Sequence, residues 1–273
     1  MKELTLKELQ SEELKILKDV HEFCVLNNIR YSLYGGTLIG ALRHKGFIPW
    51  DDDIDIIMPR PDYTRFCKEY LSEKYKLACL DNTPNYMLAF ARVYDDKKTK
   101  CVSKVPWLPG EAGVWIDVFP ADGLSDDKKE IKRVYNKAYS LRKGLNIARG
   151  AYAKYSSYDT LIGKLKLFLK KVITLNGRTA KYYVRRLDTL IKKDAFCTSP
   201  MWASLSCIIR INDRKHHIAD TFQSCELVDF EDIKTYIMNG ADTMLRERYG
   251  DYMQLPLESD RIPKQSYIHF YWR

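Results

Sequence analysis

The chain has 273 residues, 45% of them hydrophobic, with 45 Lys and Arg against 36 Asp and Glu. That length and apolar content suit one large domain, or a main domain with an appendage, and exclude an intrinsically disordered chain. No run approaches the ~18 consecutive apolar residues of a membrane-spanning helix. Met1-Lys2-Glu3-Leu4 leads into charged sequence without the apolar stretch of a secretory signal, so a cytoplasmic protein is expected. The seven scattered cysteines form no Cys-x-x-Cys pair, which speaks for reduced thiols and against a disulfide framework or zinc knuckle.

Apolar residues at helical spacing predict an amphipathic helix over residues 4–27, from Leu9 through Ile16, Leu17 and Val20 to Cys24. A short strand, Tyr31–Tyr34, is stopped by Gly35-Gly36, and Thr37–Arg43 reads as a short helix, which places the glycines in a strand-to-helix turn. Asp53–Met58 alternates and then runs apolar into Pro59, the pattern of a buried strand. Pro61 suits the first turn of a helix reaching about Ser72. Two or three strands fall between Lys76 and Ser103, and Val114–Phe119 is a strand ended by Pro120. From about Asp126 to Asp194 the pattern is long, basic and helical, with breaks near residues 150–157 and at Asn176-Gly177. A last amphipathic helix is expected over about Asp232 to Tyr249.

The charge is uneven. Between Lys128 and Lys193 there are nineteen Lys and Arg against three acidic residues, a local charge of +16 that leaves −7 for the remainder. Such a region attracts an anionic partner, whether phosphorylated substrate, lipid headgroup or nucleic acid, unless it is simply a solvated helical face. Within it, Leu161 to Lys171 reads as a basic helix with an apolar side. Lying on an anionic membrane, or packing on the body with its lysines in water, both fit that pattern.

Asp53 and Asp55 stand two apart on an expected strand, so their carboxylates face one way, with Cα atoms roughly 6.6 Å apart. Carboxylates that close repel unless a cation lies between them, and Mg²⁺ suits such oxygen donors. Asp117 interrupts the apolar strand Trp115-Ile116-Asp117-Val118-Phe119 and needs a partner if buried. Together the three could hold two metals about 3.5–4 Å apart. A solvated Asp-rich turn at Asp51-Asp52-Asp53 is the alternative. Gly35 and Gly36 before a helix let backbone N–H groups approach phosphate, and Thr37 adds a hydroxyl there. The order of glycine pair, short helix, Asp-x-Asp strand and later single-Asp strand is that of the nucleotidyltransferase fold.

The segment Gly36 to Ile56, GTLIGALRHKGFIPWDDDIDI, closely resembles the hallmark of the LicD family. Gly113–Pro120 with Asp122-Gly123 looks like that family's second block, and Tyr249–Met253 with Leu255-Pro256 like its C-terminal one. The resemblance implies an α/β fold, a nucleotidyltransferase-like mixed sheet with flanking helices, plus a basic, mostly helical C-terminal part. Residues 1–125 would form the catalytic core and 126–273 a mainly helical region completing the substrate cleft. It implies a phosphotransferase that moves phosphocholine from CDP-choline to a glycan or teichoic-acid hydroxyl and releases CMP. Fukutin-type relatives move ribitol phosphate instead, and a nucleotidyltransferase releasing pyrophosphate is a further alternative. By position, Asp53, Asp55 and Asp117 match metal ligands and catalytic carboxylates, with Mg²⁺ or Mn²⁺, two ions, as cofactor. Gly35, Gly36 and Thr37 match the phosphate turn.

Arg43, His44 and Lys45 follow the short helix and are candidate phosphate ligands, as is Arg92 on Phe90-Ala91-Arg92-Val93. A choline headgroup needs aromatic faces. Trp50, Trp107, Trp115 and Trp202 are available, and Trp50 beside the aspartates is the candidate. The expected partners are a CDP-alcohol donor, a glycan or lipid-linked glycan acceptor and a peripheral contact with the inner face of the plasma membrane. No nucleic-acid-binding motif is visible, so a nucleic-acid partner is not expected.

Overall fold

The computed structural model describes residues 1–103, 112–153, 160–175, 177, 179–208, 216–263 and 268–273. Thr5 opens α1 (Leu6–Leu26) with a capping box: its hydroxyl accepts from Glu8 N at 3.3 Å, and Glu8 Oε2 accepts from Thr5 N at 2.8 Å. One face of this helix buries Leu9, Ile16, Leu17, Val20 and Cys24, and with them Glu12 and Glu13. After β1 (Ser32–Leu33) the chain enters α2 (Gly35–His44), so the two glycines form the helix's first turn rather than a loop before it. β2 (Asp55–Pro59) begins at Asp55, which leaves Asp53 in the extended lead-in and corrects the expectation that both lie on the strand.

Beyond α3 (Arg60–Glu69), strands β3 (Lys76–Ala78), β4 (Ala91–Tyr94) and β6 (Trp115–Leu124) complete a curled mixed sheet ordered β1-β2-β6-β4-β3. Among the described residues, only β2 and β6 pair in parallel within it. β6 runs past Pro120, where it was expected to stop. β4 last pairs at Val118, and from Asp122 onward β7 (Met201–Ala203) takes over that neighbouring position, so the strand keeps partners along its length. All ten of its residues are buried.

The basic stretch forms α4 (Lys128–Gly150), α5 (Leu161–Leu175) and α6 (Ala180–Ile191). α4 and α6 share a second core built on Ile131, Val134, Tyr135, Val184, Leu187 and Ile191. α5 buries Leu167 but turns most of its apolar side chains outward. The helix expected from Asp232 starts only at Ala241, as α7 (Ala241–Tyr249). Before it stands a hairpin, β9 (Cys225–Phe230) and β10 (Ile233–Met238), closed by Glu231 at φ 54°. Thr235, Tyr236 and Ile237 favour the strand, and the turn Glu231-Asp232 lacks the glycine that usually announces one. β5 (Thr99–Ser103) pairs with β11 (Ile268–Trp272), β8 (His217–Ile218) with β7. No helix among the described residues is long and apolar enough to cross a membrane.

Beneath the sheet, Arg60 Nε donates to Asp122 Oδ1 at 2.5 Å, with both side chains buried. Burial pushes the Asp122 carboxyl up to about 6 despite the opposing pull of Arg60. Replacing Arg60 by Met should therefore strand a buried carboxylate and cost about 3–5 kcal/mol in urea denaturation at pH 8. The loss should shrink towards pH 5, where Asp122 takes up a proton and no longer needs a cation.

Candidate active site

The parallel register of β2 and β6 sets Asp55 beside Asp117, and the antiparallel register of β6 and β4 sets Arg92 on Asp117's other side. Cross-strand partners share a face and neighbouring strands lie about 4.8 Å apart, so the three side chains form a row. Asp117 N donates to Ile54 O at 2.9 Å, which fixes that register at its first residue. Arg92 donates to both Asp117 oxygens, Nε to Oδ1 at 2.6 Å and Nη2 to Oδ2 at 3.3 Å. Its guanidinium lies 4.1 Å from the Trp115 ring centroid, a stack that holds it in place.

Asp53 joins this row from the lead-in, together with Asp51 and Asp52. One carboxylate oxygen from each of the three lies within 4.8 Å of the others. The helix α2 meets them with its glycines. A Cβ on Gly35 would lie 3.1 Å from Asp55 Oδ2, and one on Gly36 only 2.5 Å from Asp51 Oδ2. Gly35 also holds φ at 57°, where other residues are strained. The glycine pair thus admits carboxylates to the positive end of a helix dipole. Thr37 Oγ1 accepts from Asp55 N at 2.9 Å, so its hydroxyl pins the start of β2.

From α1, Glu13 enters the same cluster. Its side chain is buried, and among the described residues its Oε2 has no hydrogen-bond partner. Burial first, then Asp53, Asp51, Asp52 and Asp117, push its carboxyl well above the usual carboxylate range. Asp55 is raised in the same way, by burial and then by Asp53, Asp117 and Asp51, with Arg92 opposing. Six carboxyl groups crowded like this, one oxygen among them orphaned, have the donor chemistry of a hard divalent cation, and the residues fit Mg²⁺ or Mn²⁺.

Other cations surround the row. Arg248 of α7 donates to Tyr34 Oη at 2.7 Å and lies over the Tyr34 and Tyr249 rings, 5.5 Å from each centroid. Tyr249 and Cys207 both lie within electrostatic reach of Asp55. From α4, Arg142 lines a cleft of about 290 Å³ with Tyr139, Lys143, Asn146, Lys170 and Ile208. Among the described residues its buried Nε and Nη1 have no hydrogen-bond partner, and burial, helped by Arg92 and opposed by Cys207 and Asp117, lowers its pKa.

Arg43, His44 and Lys45 sit at the far end of α2, about 12 Å along the helix from Gly35. Arg43 Nη1 holds the carbonyls of Tyr252 and Gln254 at 2.6 and 3.2 Å, and its Nε donates to His44 Nε2 at 2.9 Å. Lys45 caps the helix in the left-handed region at φ 57°, and its side chain is exposed. Trp50 lies at the rim, with the Arg261 guanidinium 5.7 Å from its ring centroid. Trp115 and Trp202 are core residues, and Trp107 lies outside the described residues.

Sequence reasoning missed Glu13, Arg142 and Arg248 and gave Asp51 only as part of the alternative Asp-rich turn. Glu13 carried a signal, since it stands with Leu9, Ile16, Leu17 and Val20 on the apolar stripe of α1, where a charge has no ordinary reason to be. Arg248 directly precedes the Tyr249-Gly250-Asp251 block. Nothing in the sequence distinguishes Arg142 from its basic neighbours.

Carboxylates gathered on neighbouring strands of a mixed sheet, against the opening turn of a short helix, are the construction of nucleotidyltransferase-type enzymes. Comparison with known proteins agrees, for the nucleotidyltransferase domain described as LicD/FKTN/FKRP matches residues 28–143. The lipopolysaccharide cholinephosphotransferase LicD of Haemophilus influenzae is 30% identical over 283 aligned positions, covering 98% of this chain and all of that protein. Uncharacterized proteins of Rickettsia prowazekii and Rickettsia typhi share 35% and 48% identity over 88 and 52 residues, or 32% and 19% of this chain and 30% and 17% of theirs. The chain belongs to the LicD family and is a transferase. The matched domain contains every site residue expected from the sequence, while Glu13 and Arg248 lie outside it.

A carboxyl that holds its proton more tightly in the fold than in the unfolded chain contributes stability that is fully present at low pH and fades as pH rises. Glu13 is such a group, so in chelator-containing buffer the wild type should lose stability from pH 5 to pH 8. Glu13→Gln, which keeps the shape without the charge, should flatten that slope by up to about 1.4 kcal/mol per pH unit. Urea denaturation across this range measures it, and parallel curves would exclude a protonated Glu13.

Proposed function

We propose that this transferase moves phosphocholine from a CDP-activated donor to a hydroxyl of a glycan acceptor of the cell surface, with CMP as the second product. The similarity, across nearly the whole chain, to a lipopolysaccharide cholinephosphotransferase carries this reading, and the carboxylate cluster supports it. The P–O bond to CMP breaks, a P–O bond to the acceptor oxygen forms, and the hydroxyl proton passes to a carboxylate of the cluster. A teichoic-acid acceptor and a polyol-phosphate donor remain within the same chemistry.

Asp53 and Asp55, with Asp51 and Glu13 beside them, would hold Mg²⁺ or Mn²⁺, two ions by the pattern of the family. Bound there, the metal would neutralise charge on the diphosphate and on the transferred phosphoryl group. Asp117, engaged by Arg92 through both oxygens, keeps the row in register and sets the charge balance of its floor. Arg142 would meet phosphate oxygens from the cleft side, where its Nε and Nη1 have no acceptor among the described residues. Gly35 and Gly36 leave the backbone of α2 open to the same phosphates. Trp50, with a cation already over its ring, offers the kind of face that a quaternary ammonium prefers.

Incubation with Mg²⁺ and a panel of CDP-alcohols, followed by measurement of CMP, tests the reaction. CMP from CDP-choline is the expected result, whereas pyrophosphate from a nucleoside triphosphate would establish a nucleotidyltransferase instead. Asp53→Asn should lower turnover by more than the ~100-fold typical of losing a group behind a metal ligand, with the fold retained by circular dichroism.

Arg142→Gln gives a separate readout. Removing an unpartnered buried cation should leave Tm unchanged or raise it without ligand. The same variant should lose most of the Tm gain that CDP-choline gives the wild type. A lowered Tm with an intact ligand response would make Arg142 a structural residue.

A further inference from the structure

Helix α5 is amphipathic in the reverse sense to a helix that covers a core. Thr160 caps it, accepting from Gly163 N at 3.1 Å through its hydroxyl and from Lys164 N at 3.1 Å through its carbonyl. At 3.6 residues per turn, Leu161, Ile162, Leu165, Phe168, Leu169 and Val172 fall on an arc of about 120°. Those side chains are 83, 67, 57, 53, 52 and 40% exposed, in that order, while Leu167 on the opposite side is fully buried. A globular helix turns its apolar stripe inward. Here the stripe faces out along three turns, too long and continuous for scattered surface leucines.

The charges beside the stripe decide what can cover it. Lys164 and Lys171 border one edge, Lys166 and Lys170 lie beyond the other, and no acidic residue occurs between Leu161 and Leu175. A second copy laid on this face would bring lysines against lysines. A surface that is apolar in depth and anionic at its rim satisfies both parts of the pattern, with the six side chains below the headgroups and the lysines among them.

We propose that α5 is an interfacial helix that docks the protein on an anionic lipid bilayer. The inference rests on this helix alone, independent of the reaction assigned above. Combined with the proposed function, it would hold the enzyme at the membrane where a lipid-linked acceptor would lie.

The test is co-sedimentation of the full chain with vesicles of phosphatidylcholine and phosphatidylglycerol, against pure phosphatidylcholine. The wild type should pellet with the anionic vesicles at low salt and lose part of that binding at high salt. Replacing Leu165 and Phe168 together by Glu alters only exposed positions. Its Tm should equal that of the wild type, and its vesicle binding should fall at least tenfold. Lys164→Gln with Lys171→Gln should weaken binding and flatten its salt dependence. Equal binding to both vesicle types would trace the contact to choline headgroups and overturn the proposal. So would a wild type that stays in the supernatant, or a Glu variant that pellets as the wild type does. A Glu variant that instead converts a dimer to a monomer in light scattering would assign the face to self-association. Failure of CMP release from CDP-choline would leave the lipid result standing, since binding is read without turnover.

Discussion

The arrangement depends on negative charge brought together against electrostatic cost. Six carboxyl groups, from α1, the lead-in to β2, β2 itself and β6, converge where the parallel strand pair meets the first turn of α2. Left alone, such a cluster would either take up protons or push its strands apart. Three features offset it. Arg92 neutralises Asp117 from the neighbouring strand. The helix end at Gly35-Gly36 turns its partial positive charge towards Asp51 and Asp55. Burial pushes the Glu13 and Asp55 carboxyls well above the usual carboxylate range, which favours their neutral forms. In a fold that tolerates this arrangement, a bound cation would release electrostatic cost.

The glycine pair shows how one sequence feature can serve a different immediate purpose from the one read into it. Glycine before a helix suggests a backbone opened towards phosphate. In the structure the space that the missing Cβ atoms leave is already claimed by Asp51 and Asp55 oxygens. The two roles are compatible, since in the proposed reaction a metal-bound diphosphate would lie against these same carboxylates. The order of requirement is nevertheless clear: without glycine the carboxylates could not sit where they do, whatever ligand follows.

How much could be read in the sequence depended on how local each signal was. The Asp-x-Asp segment, the lone aspartate in an apolar strand and the glycine pair are short and chemically specific, and the strand register brings Asp55 and Asp117 side by side. Element edges were less legible. Whether β2 starts at Asp53 or Asp55 depends on where Asp117 N finds its acceptor, a contact across more than sixty residues of chain. The β9–β10 hairpin was hidden because its turn uses Glu231 in a left-handed conformation, a position where sequence rules look for Gly or Asn. Arg43 looked like a phosphate ligand by position, yet its bonds go to carbonyls of the C-terminal segment, more than two hundred residues away. Arg142 and Arg248 become visible only when helices from the second half of the chain close over the sheet.

The basic region then divides into parts with different work. α4 and α6 use their apolar faces on each other, and their charges are paired or solvated in the ordinary way, as with Lys193 and Arg133 on Glu130. Arg142 is the exception on α4, a half-buried side chain that lines a cleft within electrostatic reach of Asp117. α5 is the exception among the helices, because its apolar stripe stays about half exposed or more along most of its length. Net charge alone would treat the three helices alike and suggest one diffuse anion-attracting surface. Resolved by side chain, the same +16 separates into a half-buried guanidinium lining a cleft and an outward apolar helix bordered by lysines, two surfaces of different chemistry rather than one.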